Sequence, residues 1–149
     1  MLILLDIDGV MVPANPWKRP EFLEDGFPAF SQKAVAALNR LLLSDGAAIV
    51  LTTSHKSKYT IPQWKQIFRL RGVNAEYISR LPENTTHLNR KEEILNWVAT
   101  QAILPDFIII DDDKSLNGLP AHIKENIVQT SGAIGLTSEL LDEAMSVPL

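Results

Sequence analysis

Three apolar runs rich in Ile, Leu and Val each stop abruptly on polar residues: LILLDID (2–8), AAIVLTTS (47–54) and FIIIDDD (107–113). Runs this short and this uniformly apolar read as strands covered on both faces. The segments between them carry a helical period instead. In SQKAVAALNRLLLSDG (31–46) the apolar stripe falls at 34, 35, 38, 41 and 42, with Ser31 as N-cap and Gly46 just past the end. PQWKQIFRLRG (62–72) opens on Pro and closes on Gly, and NRKEEILNWVATQAIL (89–104) begins with Asn89 and Glu92 in capping-box spacing. Further strands are expected at 74–79 and 125–130, and a last helix, SELLDEAM, after Thr137 or Ser138. Strands alternating with helices build a doubly wound, Rossmann-like α/β fold, a parallel sheet with helices on both faces. Such sheets bind ligands beyond the carboxyl ends of their strands. That rule selects Asp6 and Asp8, Thr52 and Thr53, and Asp111 and Asp112.

The totals narrow the partners. At 149 residues the chain is expected to form one domain, 1–149, able to bury a core without staples. Cysteine is absent, which excludes disulfides and thiolate metal sites. The opening MLILLDIDGVMV lacks a basic leader and is interrupted by Asp6 and Asp8, so it reads as a strand and not a signal peptide. No apolar run approaches the ~18 residues a membrane span requires, so a cytoplasmic protein with no membrane contact is expected. Charge is divided: residues 1–91 hold 12 Lys/Arg against 8 Asp/Glu, and residues 92–149 hold 2 against 10. That is not the profile of a protein gripping long nucleic acid through many phosphates, although a single terminal phosphate is compatible with it.

One stretch is irregular. VMVPANPWKRPEFLEDGFPAF (10–30) holds four of the nine prolines and four aromatic residues, so it cannot form a continuous helix. A loop of this length inside a compact domain is usually functional. The expectation is a flap over the site, with Trp17, Lys18 and Arg19 meeting the substrate; packing of the rings onto the core is the competing reading. Lys56 and Lys58 are the other cations near the same mouth.

Three adjacent carboxylates repel one another, and a strand end solvates them poorly. Asp111, Asp112 and Asp113 therefore call for a partner cation. Asp6 and Asp8, two apart before Gly9, can turn toward one pocket, and Asp112 adds an oxygen from another strand end. This oxygen-rich, thiol-free set suits Mg²⁺. Phosphoryl transfer asks for a nucleophile, a proton donor, a divalent cation and fixed positive charge on the phosphate. Lys91 stands in the first turn of its helix, where the macrodipole disfavours a cation; service to a phosphate and plain exposure at a helix start are the two readings.

LLDIDGV resembles motif I of the haloacid dehalogenase (HAD) superfamily, AIVLTTS motif II, RKEEILNWV the lysine motif III and FIIIDDD the acidic motif IV, all in family order. RKEEILNW and IIIDDD are similar to the phosphatase domains of polynucleotide kinase-phosphatases, and the whole pattern to the small HAD domain of RNA-repair (Swiss Army knife) proteins. The resemblance implies Asp6 as nucleophile forming an aspartyl-phosphate, and Asp8 as general acid and then base. It implies Thr52 on the transferring phosphoryl group, with Thr53 as the substrate-binding alternative, and Lys91 balancing charge. Asp6, the Asp8 backbone carbonyl and Asp112 would hold Mg²⁺, with Asp111 orienting Lys91 or a metal water. Asp113 matches no motif position.

Asp8 favours phosphatase over dehalogenase, which needs no proton donor there. Asp8 and Thr52 stand 44 positions apart, and Thr52 and Lys91 39 apart; neither interval has room for a cap domain beside its helix. An open mouth suits a phosphorylated small molecule or nucleic-acid end, or a small phosphate closed over by the second subunit of a homodimer. A receiver domain shares these residue types but orders them differently. A catalytically silent HAD-like domain that binds a partner is the alternative function.

Overall fold

The computed structural model describes residues 1–15 and 17–145. Five strands form one sheet: β1 Leu2–Leu5, β2 Ala48–Leu51, β3 Tyr77–Arg80, β4 Phe107–Asp111 and β5 Ile127–Gln129, in the order β3-β2-β1-β4-β5. Every neighbouring pair is parallel, with Leu5 facing Leu51 on one side and Ile110 on the other. The helices are α1 Gln32–Leu42, α2 Ile61–Leu70, α3 Arg90–Thr100, α4 Ala121–Lys124 and α5 Ser138–Met145, with a 3₁₀ turn over Lys114–Gly118. This is the doubly wound α/β architecture that the alternating pattern implies, and no cap domain interrupts the described residues.

The period-2 alternation of each strand divides the core. Ile3, Leu5, Ile49, Leu51, Ile108 and Ile110 pack with Ala34, Leu38, Trp64, Phe68 and Leu141 from α1, α2 and α5. Leu4, Val50 and Ile109 pack on the other side with Ile94 of α3 and with Leu116, Leu119 and Ile123. Trp64 and Phe68 are fully buried, each contributing about 2–3 kcal/mol by burial. Thr60 with Gln63 and Asn89 with Glu92 close reciprocal capping boxes on α2 and α3. Two helices are shorter than the sequence segments that carry them. α1 stops at Leu42, with Gly46 at φ +72° in the following turn. α3 stops at Thr100, where Gln101 is already extended and Ile103 is left exposed.

The loop at 10–30 is anchored at both ends, with Val10, Met11 and Val12 buried at its start. Phe27 and Phe30 are buried, and the buried Arg71 guanidinium fastens them from outside the loop. It grips Asp25 through two nitrogens (2.7 and 2.9 Å), donates to the carbonyls of Phe27 and Pro28, and lies 5.4 and 5.2 Å from the Phe27 and Phe30 rings. This grip holds the Asp25 carboxyl below its ordinary range. Trp17 and Phe22 remain 93% and 61% exposed. Packing onto the core therefore accounts for Phe27 and Phe30 but not for Trp17 and Phe22. Among the described residues no helix is long and apolar enough to cross a membrane.

Candidate active site

The first strand ends in a tight turn. Val10, Met11 and Val12 all donate their amides to the Ile7 carbonyl (3.1, 2.8 and 3.0 Å). This turn sends Asp6 inward, 5% exposed, and leaves Asp8 outside. Gly9 is obligatory: its φ is +81°, and a Cβ there would collide with the Asp112 carboxylate. Thr130 ties the turn down by donating to the Gly9 carbonyl at 2.7 Å.

Asp6 thereby meets the end of β4. One oxygen each of Asp6, Asp111 and Asp112 lie within 4.8 Å of one another. Asp113 faces a different task, accepting from the Ser115 amide at 2.8 Å to cap the 3₁₀ turn. From β2, Thr52 and Thr53 are both fully buried but differ in partner. Thr52 Oγ1 accepts from Arg90 at 3.3 Å, while Thr53 Oγ1 accepts the His55 amide at 3.3 Å.

The cation in contact with these carboxylates is Arg90, where the sequence reading expected Lys91. Arg90 Nη1 lies 2.5 Å from Asp111 Oδ2 and 3.5 Å from Asp6 Oδ1. Lys91 donates its backbone amide to Ser115, and its ammonium lies over the 3₁₀ turn, 3.2 Å from where a Gly118 Cβ would stand. Consecutive helical residues point about 100° apart. Arg90 shares its stripe with Ile94, four residues on and buried against the sheet, so position 90 reaches the strand ends and position 91 is turned away. Glu93, on the same face, braces Arg90 Nε at 3.6 Å and pairs with the buried Lys56 ammonium at 2.9 Å.

Arg90 does not neutralise the carboxylates fully. Burial, followed by repulsion from Asp111, pushes Asp6 up to about 8, against the pull of Arg90. Burial also raises Asp111, although Arg90 works against it. Burial disfavours the Arg90 charge, yet Asp111, Asp6 and Glu93 outweigh it and hold that pKa above its ordinary value.

Asp8 stands at the rim, its Oδ2 2.8 Å from His55 Nε2. Trp17, Lys18 and Arg19 are exposed in the middle of the loop. Among the described residues no hydrogen bond or ion pair joins Lys18 or Arg19 to the carboxylates. Arg90, Glu93 and His55 escaped the sequence reading. The helical stripe shared with Ile94 is a signal that singles out Arg90; nothing in the spacing points to His55.

The family model described as the HAD domain in Swiss Army Knife RNA repair proteins matches residues 2–141 of this chain. No curated protein and no solved structure was found to match it.

Proposed function

The chain belongs to the family of HAD domains in Swiss Army Knife RNA repair proteins, and from that premise we propose that it is a Mg²⁺-dependent phosphatase. It would hydrolyse a phosphomonoester through an aspartyl-phosphate. In the first step an Asp6 oxygen attacks phosphorus, the bond to the leaving oxygen breaks, and Asp8 gives that oxygen its proton. In the second, Asp8 takes a proton from water as the water oxygen attacks the aspartyl-phosphate, releasing inorganic phosphate and restoring Asp6. Thr52 donates to the transferring group, and Arg90 supplies the fixed positive charge.

The residues present fit a hard divalent cation. The donors are all oxygens within 4.8 Å, and the Asp112 carboxylate lies against the turn, in the space that a side chain at position 9 would fill. Asp6, Asp111 and Asp112, with the Asp8 backbone carbonyl, would hold the ion. When bound it supplies positive charge that offsets the carboxylates and the phosphoryl oxygens.

A single observation carries this reading: Asp6, Thr52, Arg90 and Asp111, from four separate elements, converge at the carboxyl end of the sheet with Asp8 at the rim. The exposed Trp17, Lys18 and Arg19 favour a nucleotide or a nucleic-acid terminal phosphate, since a ring and two cations suit a base and a phosphate. A panel of nucleotides, sugar phosphates and 3′-phosphorylated oligonucleotides assayed with Mg²⁺ tests the proposal. Release of phosphate that stops on chelation is expected. No turnover on any member would return the chain to the alternative of a binding module.

A further inference from the structure

We propose that His55 is a positioning residue for Asp8, holding one carboxyl oxygen so that the other faces the leaving group; this rests on the reading of Asp8 as proton donor. Asp8 needs such help. Its side chain is 61% exposed, beyond the turn that fixes Asp6, and His55 Nε2 at 2.8 Å is its side-chain partner among the described residues. The contact occupies Oδ2 and leaves Oδ1 available. An exposed carboxyl without it would sample several rotamers, few of them aimed at the departing oxygen.

His55 can act as a fixed point because it is itself held by the core. Its amide donates to Thr53 Oγ1 at 3.3 Å, and its carbonyl accepts from Lys58 at 2.9 Å. Its ring stands edge-on to Phe27, with centroids 5.8 Å apart. Phe27 in turn is wedged against Trp64 and Tyr59 (5.5 and 5.8 Å), and its carbonyl takes a hydrogen bond from Arg71. The later part of the 10–30 loop thus becomes the support of the proton donor. Arg71 fastens Phe27, Phe27 backs His55, and His55 aims Asp8. The loop beside the site is thus tied at both ends, by the buried Val10 and Met11 and by Phe27 and Phe30, with Trp17 exposed between them.

Leaving-group dependence tests the assignment. A nitrophenolate departs with little protonation, whereas an alkoxide needs its proton from Asp8. His55→Phe keeps a ring against Phe27 and deletes the hydrogen bond. Its kcat/KM for an alkyl phosphate should fall by roughly tenfold to a hundredfold, the scale on which misplacement of a reacting group costs rate. The fall on nitrophenyl phosphate should be several times smaller. In an Asp8→Asn background His55→Phe should cost little further, because the group it aims is gone. His55→Gln, which keeps a hydrogen-bonding tip, should recover most of the alkyl rate, and it carries the comparison should His55→Phe fail to fold. Equal losses on both substrates, an undiminished loss in the Asp8→Asn background, or a His55→Gln no better than His55→Phe would each overturn the inference. A gain in rate would do so too, by showing that His55 holds Asp8 away. A wild-type protein inactive on both substrates would instead overturn the phosphatase reading itself.

Discussion

Arg90 Nη1 sits 2.5 Å from Asp111 Oδ2, joining the start of α3 to the end of β4 at the point where the sheet opens. Asp111 is buried and Arg90 partly so, and the same guanidinium reaches Asp6 and Thr52. Arg90 is therefore the side-chain cation that meets both of these carboxylates among the described residues.

The first prediction follows from that contact. Arg90→Gln should lower kcat/KM on nitrophenyl phosphate by about a hundredfold or more, the scale for losing one donor aimed at developing charge. Lys91→Gln should cost less than about threefold, since its ammonium lies over the 3₁₀ turn. Steady-state kinetics on variants checked for folding by circular dichroism distinguish them. The reverse order of effects would return the phosphate to Lys91.

Asp6 carries a second prediction, readable without any activity. Its carboxyl keeps its proton up to about 8 in the folded chain, against an ordinary 3.8. Between those values the unfolded chain has released the proton and the folded chain retains it, so stability falls as pH rises through the window. The contribution is complete below about 4 and lost above about 8, and Asp111 acts in the same direction. Asp6→Asn has no such proton to lose. In chelator, its melting temperature relative to wild type should rise steadily from pH 4 to 8, while its phosphatase activity is abolished because an amide cannot serve as the nucleophile. A melting difference flat across that range would contradict the burial argument.

Cation binding separates two adjacent aspartates. Mg²⁺ should raise the melting temperature of the wild type, by linkage to the folded state. Asp112→Asn should weaken that response far more than Asp113→Asn. Asp112 shares the carboxylate cluster, whereas Asp113 caps the 3₁₀ turn. Titrating Mg²⁺ against melting temperature for the three proteins gives the ranking. Equal responses would mean that the ion is held elsewhere.

The exposed middle of the loop should govern substrate choice. Replacing Trp17, Lys18 and Arg19 together with Ala removes an exposed ring and two exposed cations, leaving the Arg71 anchor untouched. KM for the best substrate of the panel should rise strongly, by about tenfold or more if stacking and phosphate contacts are both lost. Nitrophenyl phosphate, which has little to bind outside the core, should change much less. Comparison of the two kcat/KM ratios decides, and a common factor of loss would place these residues in the fold or the chemistry.

The local order of residues determined the fold class, because a strand's apolar run, a helix's stripe and a cap's spacing are properties of a few neighbouring positions. Ile108 to Ile110 had to be a buried strand, and Asn89 with Glu92 had to open a helix. The strand-end rule then places Asp6, Thr52 and Asp111 at one edge of the sheet. Tertiary structure decided what depends on rotation and on distant partners. Arg90 and Lys91 are equivalent as neighbours in a string, and only the docking of Ile94 onto the sheet turns one toward Asp111 and the other toward Gly118. Thr52 and Thr53 differ only once Arg90 arrives from 38 positions away. His55 acquired a partner in Asp8, 47 positions off, and a support in Phe27. The later part of the 10–30 loop is fastened by Arg71, which lies outside it on the far side of α1 and β2 in the chain. Hydrogen bonds and ion pairs act over a few ångströms whatever the sequence separation, so the fold alone determines which side chains they join.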